Sequence, residues 1–270
     1  MDIAQTVSIA IAEDVGSGDI TANLIPSDSI AKATVICRDS AVLAGQAWFD
    51  EVFQQIDSAT QITWLVNDGE TITQNTCICT IEGKARSLLT AERSALNFLQ
   101  TLSAVATRTK RYVDAIAHTK TKILDTRKTI PGLRLAQKYA VTCGGGQNHR
   151  KGLYDGFLIK ENHIMAAGSI SNAIQQTKAL NTKLAIEVEV ENLDELKQAL
   201  DANADIVLLD NMNTETLQQA VKLNQGKAKL EASGNVNLES IASIAETGVD
   251  YISIGDLTKN IDAIDLSMRF

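Results

Sequence analysis

The sequence predicts an α/β protein, in which a smaller β-rich domain is followed by a barrel or partial barrel of parallel strands. After position 122, short apolar strand starts recur every ~20–30 residues with helical stretches between them, as in βα units. No glycine-rich dinucleotide fingerprint follows the first of these strands, which favours a barrel over a doubly wound sheet. Before position 83, short alternating segments separated by turns predict the β-rich domain.

The first domain is predicted to contain two short helices and several strands. Asn67-Asp68-Gly69 predicts a hairpin turn between the two strands that flank it. A long apolar periodicity over residues 87–118 predicts two helices, broken near Ser103. The other expected elements are helices over 2–13 and 48–56 and strands over 31–37, 41–45, 62–66, 70–73 and 77–82.

In the second part of the chain, strand–helix alternation continues to about residue 255. A final alternating segment, 261–270, predicts a strand that returns to the first domain. We therefore place the domains at 1–105 and 106–261, with 262–270 joining the first. The strands are expected to begin near 123, 157, 184, 205, 228 and 250, and the helices to cover 171–180, 193–200, 214–223 and 238–245.

Composition excludes several classes of protein. With 44% hydrophobic residues and only two prolines, the 270-residue chain is expected to bury a real core. It has no apolar run near the ~20 residues that span a bilayer, and its first residues lack the basic region of a secretory signal. Four cysteines at positions that fit neither a disulfide framework nor a zinc site predict free thiols and a cytoplasmic protein.

The charge is distributed unevenly along the chain. Residues 84–160 contain 15 Lys and Arg against 4 Asp and Glu, whereas the whole chain has a net charge of −8. An acidic protein with one basic third lacks the broad basic face that nucleic-acid binding requires. It is suited instead to drawing a small polyanion into one cleft.

The cations that are most informative lie at strand ends and in a glycine-rich loop. Arg127 and Lys128 follow one predicted strand, and Lys160 ends the next. Between them, three consecutive glycines precede His149 and Arg150. Loops after parallel strands build the ligand site of such folds, so these residues predict a site for an anion with several carboxylate or phosphate groups.

Acidic residues follow two later strands. Glu187, Glu189 and Glu191 alternate and so share one face of a strand, which in a barrel points inward and needs a cation. Asp210 ends the next apolar strand. Carboxylates at neighbouring strand ends suit Mg²⁺ that is shared with substrate phosphates, although an ion pair between Glu189 and Lys160 would also explain one of them.

The last two strands each end in small residues. Ser233, Gly234 and Asn235 follow one of them, and Gly255 follows the other. Consecutive late loops of this kind form the usual phosphate-binding cup of a barrel.

Several segments together resemble the quinolinate phosphoribosyltransferase family, over about residues 13–258. The resemblance implies an incomplete α/β barrel with a smaller α+β N-terminal open-sandwich domain. The matching segments, in chain order, are EDVGSGDIT, AERSALNFLQ, LDTRKTIPGLR, GGGQNHR, KENHI, IEVEVENLDEL, LLDNM, EASGNV and ISIGDLT.

The resemblance also implies an activity and its residues. The enzyme would transfer phosphoribosyl from phosphoribosyl pyrophosphate to quinolinate with decarboxylation, in NAD biosynthesis, as a homodimer or higher oligomer. Glu189 and Asp210 would hold Mg²⁺ and the ribose hydroxyls, and Arg93 would come from the partner subunit. The other implied substrate ligands are Arg127, Lys128, His149, Arg150, Lys160, Ser233, Gly234, Asn235 and Gly255, with Lys128, Lys160, Glu189 and Asp210 as the catalytic group.

Alternatives remain open at this point. The sequence departs from the family pattern at Asp256, Lys259 and Asn260, which affects the expected phosphate loop. A paralogous protein of molybdenum transport operons shares the TRKTIPG core. A Schiff-base aldolase that uses Lys160 and a non-catalytic phosphate-sugar binding protein are two further readings.

Overall fold

The computed structural model describes residues 2–180 and 183–270 and divides the chain into two compact units. The first unit comprises Met1–Lys110, Thr129–Gly145 and Leu257–Phe270, and the second comprises Arg111–Lys128 and Gly146–Asp256. Each unit is therefore assembled from segments that are distant in sequence. The elements up to the first strand of the second unit are α1 (Ile3–Val15), β1 (Ile30–Cys37), β2 (Ala41–Val42), α2 (Gln46–Ile56), β3 (Gln61–Trp64), β4 (Thr71–Ile72), β5 (Thr76–Lys84), α3 (Ala85–Ala115) and β6 (Lys122–Leu124).

The remaining elements alternate between helix and strand as predicted, except that two helices, α5 and α6, lie between β7 and β8. They are α4 (Arg134–Cys143), β7 (Phe157–Ile159), α5 (Glu161–Ala167), α6 (Ile170–Ala179), β8 (Ile186–Val190), α7 (Leu193–Asp201), β9 (Ile206–Asp210), α8 (Thr214–Asn224), β10 (Lys229–Ser233), α9 (Ile241–Ala245), β11 (Tyr251–Ser253), α10 (Asp256–Lys259) and β12 (Leu266–Arg269).

The first unit is built on an antiparallel sheet with the strand order β12-β1-β5-β3. The predicted final strand is β12, and it pairs with β1 in the register Val35↔Met268. The ring of Phe49 contacts those of Phe53 and Trp64, with centroids 5.1 and 5.2 Å away, and anchors α2 in this unit. The C-terminal segment therefore completes the sheet of the first unit.

The predicted break of the long helix near Ser103 is wrong, because α3 continues without interruption through this position. Ser103 is buried, and its hydroxyl accepts a 3.0 Å hydrogen bond from the backbone N–H of Ala44. One turn later, the Thr107 hydroxyl accepts a 2.9 Å bond from the backbone of Val42. The two hydroxyls bind the segment around β2 to α3. Ser103 therefore makes a contact of the continuous helix and does not mark its end.

The predicted hairpin at residues 67–69 is also wrong. Strand β3 pairs with β5, whereas β4 pairs with β2. The backbone of Leu43 exchanges hydrogen bonds with Gly69 and Glu70, and the Asp68 carboxylate accepts from the N–H of Gly45 at the start of α2. The strand that follows this turn therefore pairs with β2, which lies earlier in the chain, and not with β3.

The second unit contains a parallel sheet with the strand order β6-β11-β10-β9-β8-β7. Because β6 and β7 are the ends of this order, the sheet is an incomplete barrel, as the sequence predicts. Helix α6 packs against α7, and α7 packs against α8. Helices α6 and α7 also contact strand β8. Strand β8 is almost wholly buried. Helices cover one face of the sheet, and the side chains on its other face point into the barrel.

The strand register places the acidic residues of the sheet on one face. Glu189 and Glu231 are both opposite Leu208, and Ser233 is opposite Asp210. Side chains that are opposite each other in a parallel ladder point to the same face. The inner face of the sheet therefore presents carboxylates at two levels, with Asp210 and Ser233 at the carboxyl end.

Candidate active site

The carboxyl ends of the parallel strands bring several predicted site residues to one edge of the sheet. Asp125 directly follows β6, Lys160 directly follows β7, and Asp210 and Ser233 are the last residues of β9 and β10. Carboxyl ends of parallel strands point in the same direction, so these polar groups share one edge. This edge belongs entirely to the second unit.

Lys160 and Glu189 form an ion pair between neighbouring strands β7 and β8. The pair is partly exposed, with 49% of the Lys160 side chain and 21% of the Glu189 side chain accessible to solvent. Lys160 is also the N-cap of α5, where its backbone N–H donates a 3.0 Å bond to Nδ1 of His163. The cap fixes the backbone of Lys160, and the carboxylate orients its ammonium group.

Asp210 is held by two hydrogen bonds. Its Oδ1 accepts from the Ser233 hydroxyl at 2.7 Å, and its Oδ2 accepts from Nδ2 of Asn211 at 2.7 Å. The Asn235 amide in turn donates to Oδ1 of Asn211 at 3.3 Å. Each carboxylate oxygen keeps a second lone pair, so Asp210 retains the capacity to bind a cation.

Gly234 allows the loop after β10 to approach Asn211 closely. It has φ +95°, and a Cβ at this position would lie 2.1 Å from Oδ1 of Asn211. Only glycine adopts this backbone conformation and leaves this space. The backbone of the loop is therefore accessible next to Asp210.

Gly255 gives Lys128 a similar space. A Cβ on Gly255 would lie 2.9 Å from Cδ of Lys128 and 3.5 Å from Oγ1 of Thr126. The Thr126 hydroxyl accepts a 3.1 Å bond from the backbone N–H of Lys128. The stem of Lys128 thus lies against the loop after β11.

Beneath this edge lies a buried group of one histidine and two acids. Nε2 of His149 is 3.0 Å from Oε2 of Glu187 and 3.6 Å from Oε1 of Glu231. Glu187 and Glu231 come from β8 and β10, which is the alternate-strand pattern of side-chain layers in a barrel. They line a cavity of 330 Å³, together with the amino-terminal residues Phe157, Ala185 and Tyr251 of neighbouring strands and loops.

Burial and neighbouring charges shift the pKa values of this group. Burial, followed by the negative charge of Glu187, raises the pKa of Glu231 to about 8. For His149, burial lowers the pKa, but the hydrogen bond with Glu187 and the charges of Glu231 and Glu187 outweigh it, so that the net shift is upward. Burial and the carboxylate of Glu187 therefore both favour the protonated form of the Glu231 carboxyl.

Arg150 lies in the loop that carries His149. Its Nη1 donates a 3.2 Å bond to the carbonyl of Gly156, and its buried Nε has no hydrogen-bond partner in the described part of the chain. Burial lowers the pKa of Arg150, and the positive charge of Arg127 adds to this effect, while Glu187 opposes it. The two arginines are therefore close enough to repel each other, and an anion would relieve this repulsion.

Comparison with known proteins decides the family. The sequence profile of the quinolinate phosphoribosyl transferase C-terminal domain matches residues 105–269, and that of the N-terminal domain of the same family matches residues 19–103. The chain belongs to the quinolinate phosphoribosyl transferase family.

Similar proteins cover nearly the whole of this transferase. The structure titled nicotinate-nucleotide pyrophosphorylase from Francisella tularensis is 52% identical and has a TM-score of 0.97, covering 99% of this chain and 95% of that one. A Synechocystis protein named "Probable nicotinate-nucleotide pyrophosphorylase [carboxylating]" is 42% identical over 263 residues, which are 96% of this chain and 89% of the relative. A Bacillus subtilis protein of the same name is 41% identical over 257 residues, at 95% and 89% coverage.

Arg93 is described within the first unit, where it lies exposed on α3. Its predicted role across a subunit interface stays a prediction. The four cysteines are free thiols, as expected, with Cys37 and Cys79 buried. Among the described residues, no helix is long and apolar enough to cross a bilayer.

Sequence reasoning missed two residues of the transferase site region. Asp125 is fully buried, and its carboxylate accepts bonds of 2.8 Å from Nδ2 of Asn148 and from the backbone N–H of His149. Glu231 lies within β10 and is also buried. The available signal was an acid at an otherwise apolar strand position, which is unusual unless a proton or a cation answers it.

Proposed function

We propose that this protein transfers phosphoribosyl from phosphoribosyl pyrophosphate to quinolinate, with loss of CO₂, to give nicotinate mononucleotide and pyrophosphate. The observation that carries the proposal is membership of the quinolinate phosphoribosyl transferase family over residues 19–103 and 105–269. This reaction belongs to NAD biosynthesis. The strand-end edge with its cations and carboxylates suits a reaction between two polyanions.

The quinolinate carboxylates would bind to the arginines. Arg150 offers a buried Nε donor that has no partner among the described residues, and Arg127 is its electrostatic neighbour. A dicarboxylate would neutralise both guanidinium groups through paired hydrogen bonds. We further assign Lys128, His149 and Lys160 to the same group by the resemblance.

The phosphoribosyl part would lie over the carboxyl ends of β9 and β10. Ser233, Gly234, Asn235 and Gly255 offer hydroxyl, amide and backbone donors for a phosphate, and Gly234 has no side chain to block its approach. The pyridine nitrogen attacks C1 of the ribose as pyrophosphate leaves, and the chain's own cations balance the charge that develops on the leaving group.

The acids of this edge fit a magnesium ion. Glu189 and Asp210 are oxygen donors on neighbouring strands, which is the kind of ligand that Mg²⁺ shares with substrate phosphates and water. When bound, the ion would neutralise the charge of the pyrophosphate group. The same two carboxylates also offer acceptors for the ribose hydroxyls.

The decarboxylation step needs positioning and exclusion of water. Once the pyridine nitrogen carries the ribose, the ring is positively charged and stabilises the electron pair that the departing CO₂ leaves behind at C2. A proton from the solvent then adds to C2 and gives nicotinate mononucleotide. No general base is required for this step. Guanidinium groups that hold the second carboxylate keep the ring in place while the first is lost.

The assay uses quinolinate labelled at the C2 carboxylate. With phosphoribosyl pyrophosphate and Mg²⁺, the purified protein should release labelled CO₂ and nicotinate mononucleotide in equal amounts. A preparation of Arg127→Ala made in parallel controls for contaminating activity. Absence of both products, with the protein folded, would overturn the assignment.

The structure also bears on the aldolase reading. A Schiff-base lysine attacks a carbonyl with a free amine, whereas the ammonium group of Lys160 is engaged in an ion pair with Glu189. Failure of borohydride to trap a carbonyl compound on Lys160 is the matching expectation. The molybdenum-associated paralogue is separated from this transferase by the consumption of quinolinate.

We also propose a cytoplasmic homodimer, in which Arg93 completes the partner's site. Arg93→Ala and Lys128→Ala should each be inactive alone, while reassorted mixtures recover about one quarter of the wild-type rate, since only one site of each mixed dimer is intact. Lack of recovery, despite mixed dimers seen by mass spectrometry, would place Arg93 in its own subunit's site or outside the site.

A further inference from the structure

The sequence motif around Asp19 forms a segment that lies along the first turns of α3. Nε of Arg86, in the first turn, donates a 2.6 Å hydrogen bond to the carbonyl of Ile25. One turn later, the Thr90 hydroxyl donates a 2.9 Å bond to the Asp19 carboxylate. The segment 19–25 therefore runs in the direction opposite to the helix, and of these two contacts that of Asp19 lies farther along α3.

Asp19 connects the backbone of this segment to the helix. One carboxylate oxygen accepts 3.0 Å bonds from the backbone N–H groups of Thr21 and Ala22, where a short 3-10 turn begins. The other oxygen accepts the bond from Thr90. The bonds from Ala22 and Thr90 lower the pKa of Asp19, so the group that accepts all three bonds at neutral pH is the ionised carboxylate.

Apolar packing contributes little to holding the segment in place. Two of its three large apolar side chains, Ile20 and Leu24, are 86% and 85% exposed, and Ile25 is half-buried. Ala22 is buried, but its side chain is only a methyl group. The side chains that could anchor the segment by burial thus largely face solvent, which leaves the hydrogen bonds to α3 as a principal anchor.

Arg93 lies just beyond these contacts on α3. Residues three and four apart are neighbours on a helix surface, so positions 86, 90 and 93 lie on one side of the helix. A helical side chain leans toward the N-terminus and covers the turn before its own Cα. For the exposed Arg93, that turn is the one to which Asp19 binds through Thr90.

We propose that Asp19 is a positioning residue for Arg93 and, through it, for the active site of the partner subunit. Its carboxylate holds the segment 19–25 against the turn of α3 that precedes Arg93, and the held segment restricts the directions open to the guanidinium group. The inference rests on the proposed function, in which Arg93 completes the partner's site. Asp19 acts through Arg93 and requires no contact with substrate.

Two substitutions of Asp19 separate its hydrogen bonds from its charge. Asp19→Ala removes all three bonds, and we expect a KM for quinolinate about tenfold above the wild-type value, with kcat within about twofold. Asp19→Asn keeps an oxygen for the two backbone N–H groups and can donate to the Thr90 hydroxyl, so its KM should stay within about twofold of the wild-type value. An unchanged KM in Asp19→Ala, or equal increases in both variants, would overturn the proposal.

Thr90→Val and Asp2→Ala serve as matched variants. Thr90→Val removes only the bond to the helix and keeps the side-chain shape, so it should raise the KM about threefold, and it replaces Asp19→Ala if that variant folds poorly. Asp2 is an exposed carboxylate that accepts from a backbone N–H at the start of α1, and Asp2→Ala should leave the KM unchanged. A wild-type KM in Thr90→Val, or equal increases in Asp2→Ala and Asp19→Ala, would count against the positioning role.

Reassorted dimers show which active site Asp19 serves. If Asp19 acts through Arg93, a mixed dimer of Asp19→Ala and Lys128→Ala has one intact site, because both defects meet in the other site. Such mixtures should recover about one quarter of the wild-type rate at low quinolinate, whereas mixtures of Asp19→Ala and Arg93→Ala should not recover. Recovery in the second mixture and not in the first would place Asp19 in its own subunit's site and overturn the proposal.

Hydrogen exchange provides a measurement that does not depend on turnover. Asp19→Ala should raise the exchange rates of the Thr21 and Ala22 amides by about tenfold, and Asp19→Asn should not. If the wild type makes no nicotinate mononucleotide but exchange follows this pattern, the proposed function fails and the hold of Asp19 on the segment stands. If nicotinate mononucleotide is made and neither KM nor exchange responds to Asp19→Ala, the proposed function stands and the positioning role fails.

Discussion

The Ser233 hydroxyl donates a 2.7 Å hydrogen bond to Oδ1 of Asp210 from the neighbouring strand, at a register position where the two residues are opposite each other. The bond orients an acid at the carboxyl end of β9 through a residue at the carboxyl end of β10. The expected metal ligand and the expected phosphate ligand are therefore one connected unit, and changes in either should affect both ligands.

Replacing Asp210 by Asn should raise the Mg²⁺ concentration needed for half-maximal activity by at least tenfold, because a neutral amide is a weaker ligand for a hard cation. Ser233→Ala should have a smaller effect, since Asn211 still donates to the other oxygen. Titration calorimetry of phosphoribosyl pyrophosphate with and without Mg²⁺ measures both effects. EDTA should abolish the metal-dependent part of binding. Equal Mg²⁺ dependence in wild type and Asp210→Asn would contradict the assigned ligand.

Removal of a site arginine should abolish most activity while the fold persists. Arg127→Ala or Arg150→Ala should cost about 2–5 kcal/mol of transition-state binding, roughly 30- to several-thousand-fold in kcat/KM. Exposed Arg111 provides the matched control, and Arg111→Ala should stay near the wild-type rate. Circular dichroism and thermal unfolding verify the fold of each variant. Near wild-type turnover by Arg127→Ala would count against the carboxylate site.

Gly234 should tolerate no side chain, whereas another glycine with positive φ provides a control. Gly234→Ala combines strain at φ +95° with a Cβ 2.1 Å from Oδ1 of Asn211, so we expect loss of phosphoribosyl pyrophosphate binding together with reduced stability. Gly226 has φ +77° and nothing within 4 Å, so Gly226→Ala should show only the backbone cost, of about 1 kcal/mol. If both variants bind phosphoribosyl pyrophosphate equally well, the close approach of Gly234 to Asn211 is not needed for binding.

The buried acid Glu231 should make stability depend on pH. Its pKa is raised to about 8 in the folded chain, from 4.5, so the folded state binds a proton that the unfolded state releases between these values. Stability should therefore fall as pH rises from about 5 to 8, by at most about 1.4 kcal/mol per pH unit from this one group. Glu231→Gln, which keeps the shape without the titration, should flatten the dependence in denaturant unfolding. The same slope in the wild type and in Glu231→Gln would show that Glu231 binds no extra proton in the folded chain.

The parallel-sheet half of the fold is well predicted from the sequence, because strand and helix there alternate locally. The predicted strand start at 184 is met by β8 at Ile186, and that at 157 by β7 at Phe157. The first unit was harder, since its pairings depend on distant partners. The turn at Asn67-Asp68-Gly69 looks like a hairpin, yet β3 before it pairs with β5 and β4 after it pairs with β2. Asp68 and Leu43 supply hydrogen bonds there that no local pattern reveals.

The candidate site also contains some residues that the sequence predicts and others that it does not. Motifs at strand ends identify Lys160 and Asp210, since parallel topology brings such positions together. The buried layer of Glu187 and Glu231 depends on strand register and barrel closure, which the sequence does not specify. The engagement of both ring nitrogens of His149 is a matter of ring orientation, and it follows only from the positions of the Arg150 N–H and the Glu187 carboxylate.

Pairing of β12 with β1 joins residues that are 235 positions apart, as in the contact between Thr34 and Arg269. During synthesis, β1 leaves the ribosome long before its neighbour exists. The nascent chain must therefore carry an unpaired strand edge while the whole parallel sheet is being made. Chaperone contact with β1, or transient pairing with another nascent copy, would be most probable in that interval.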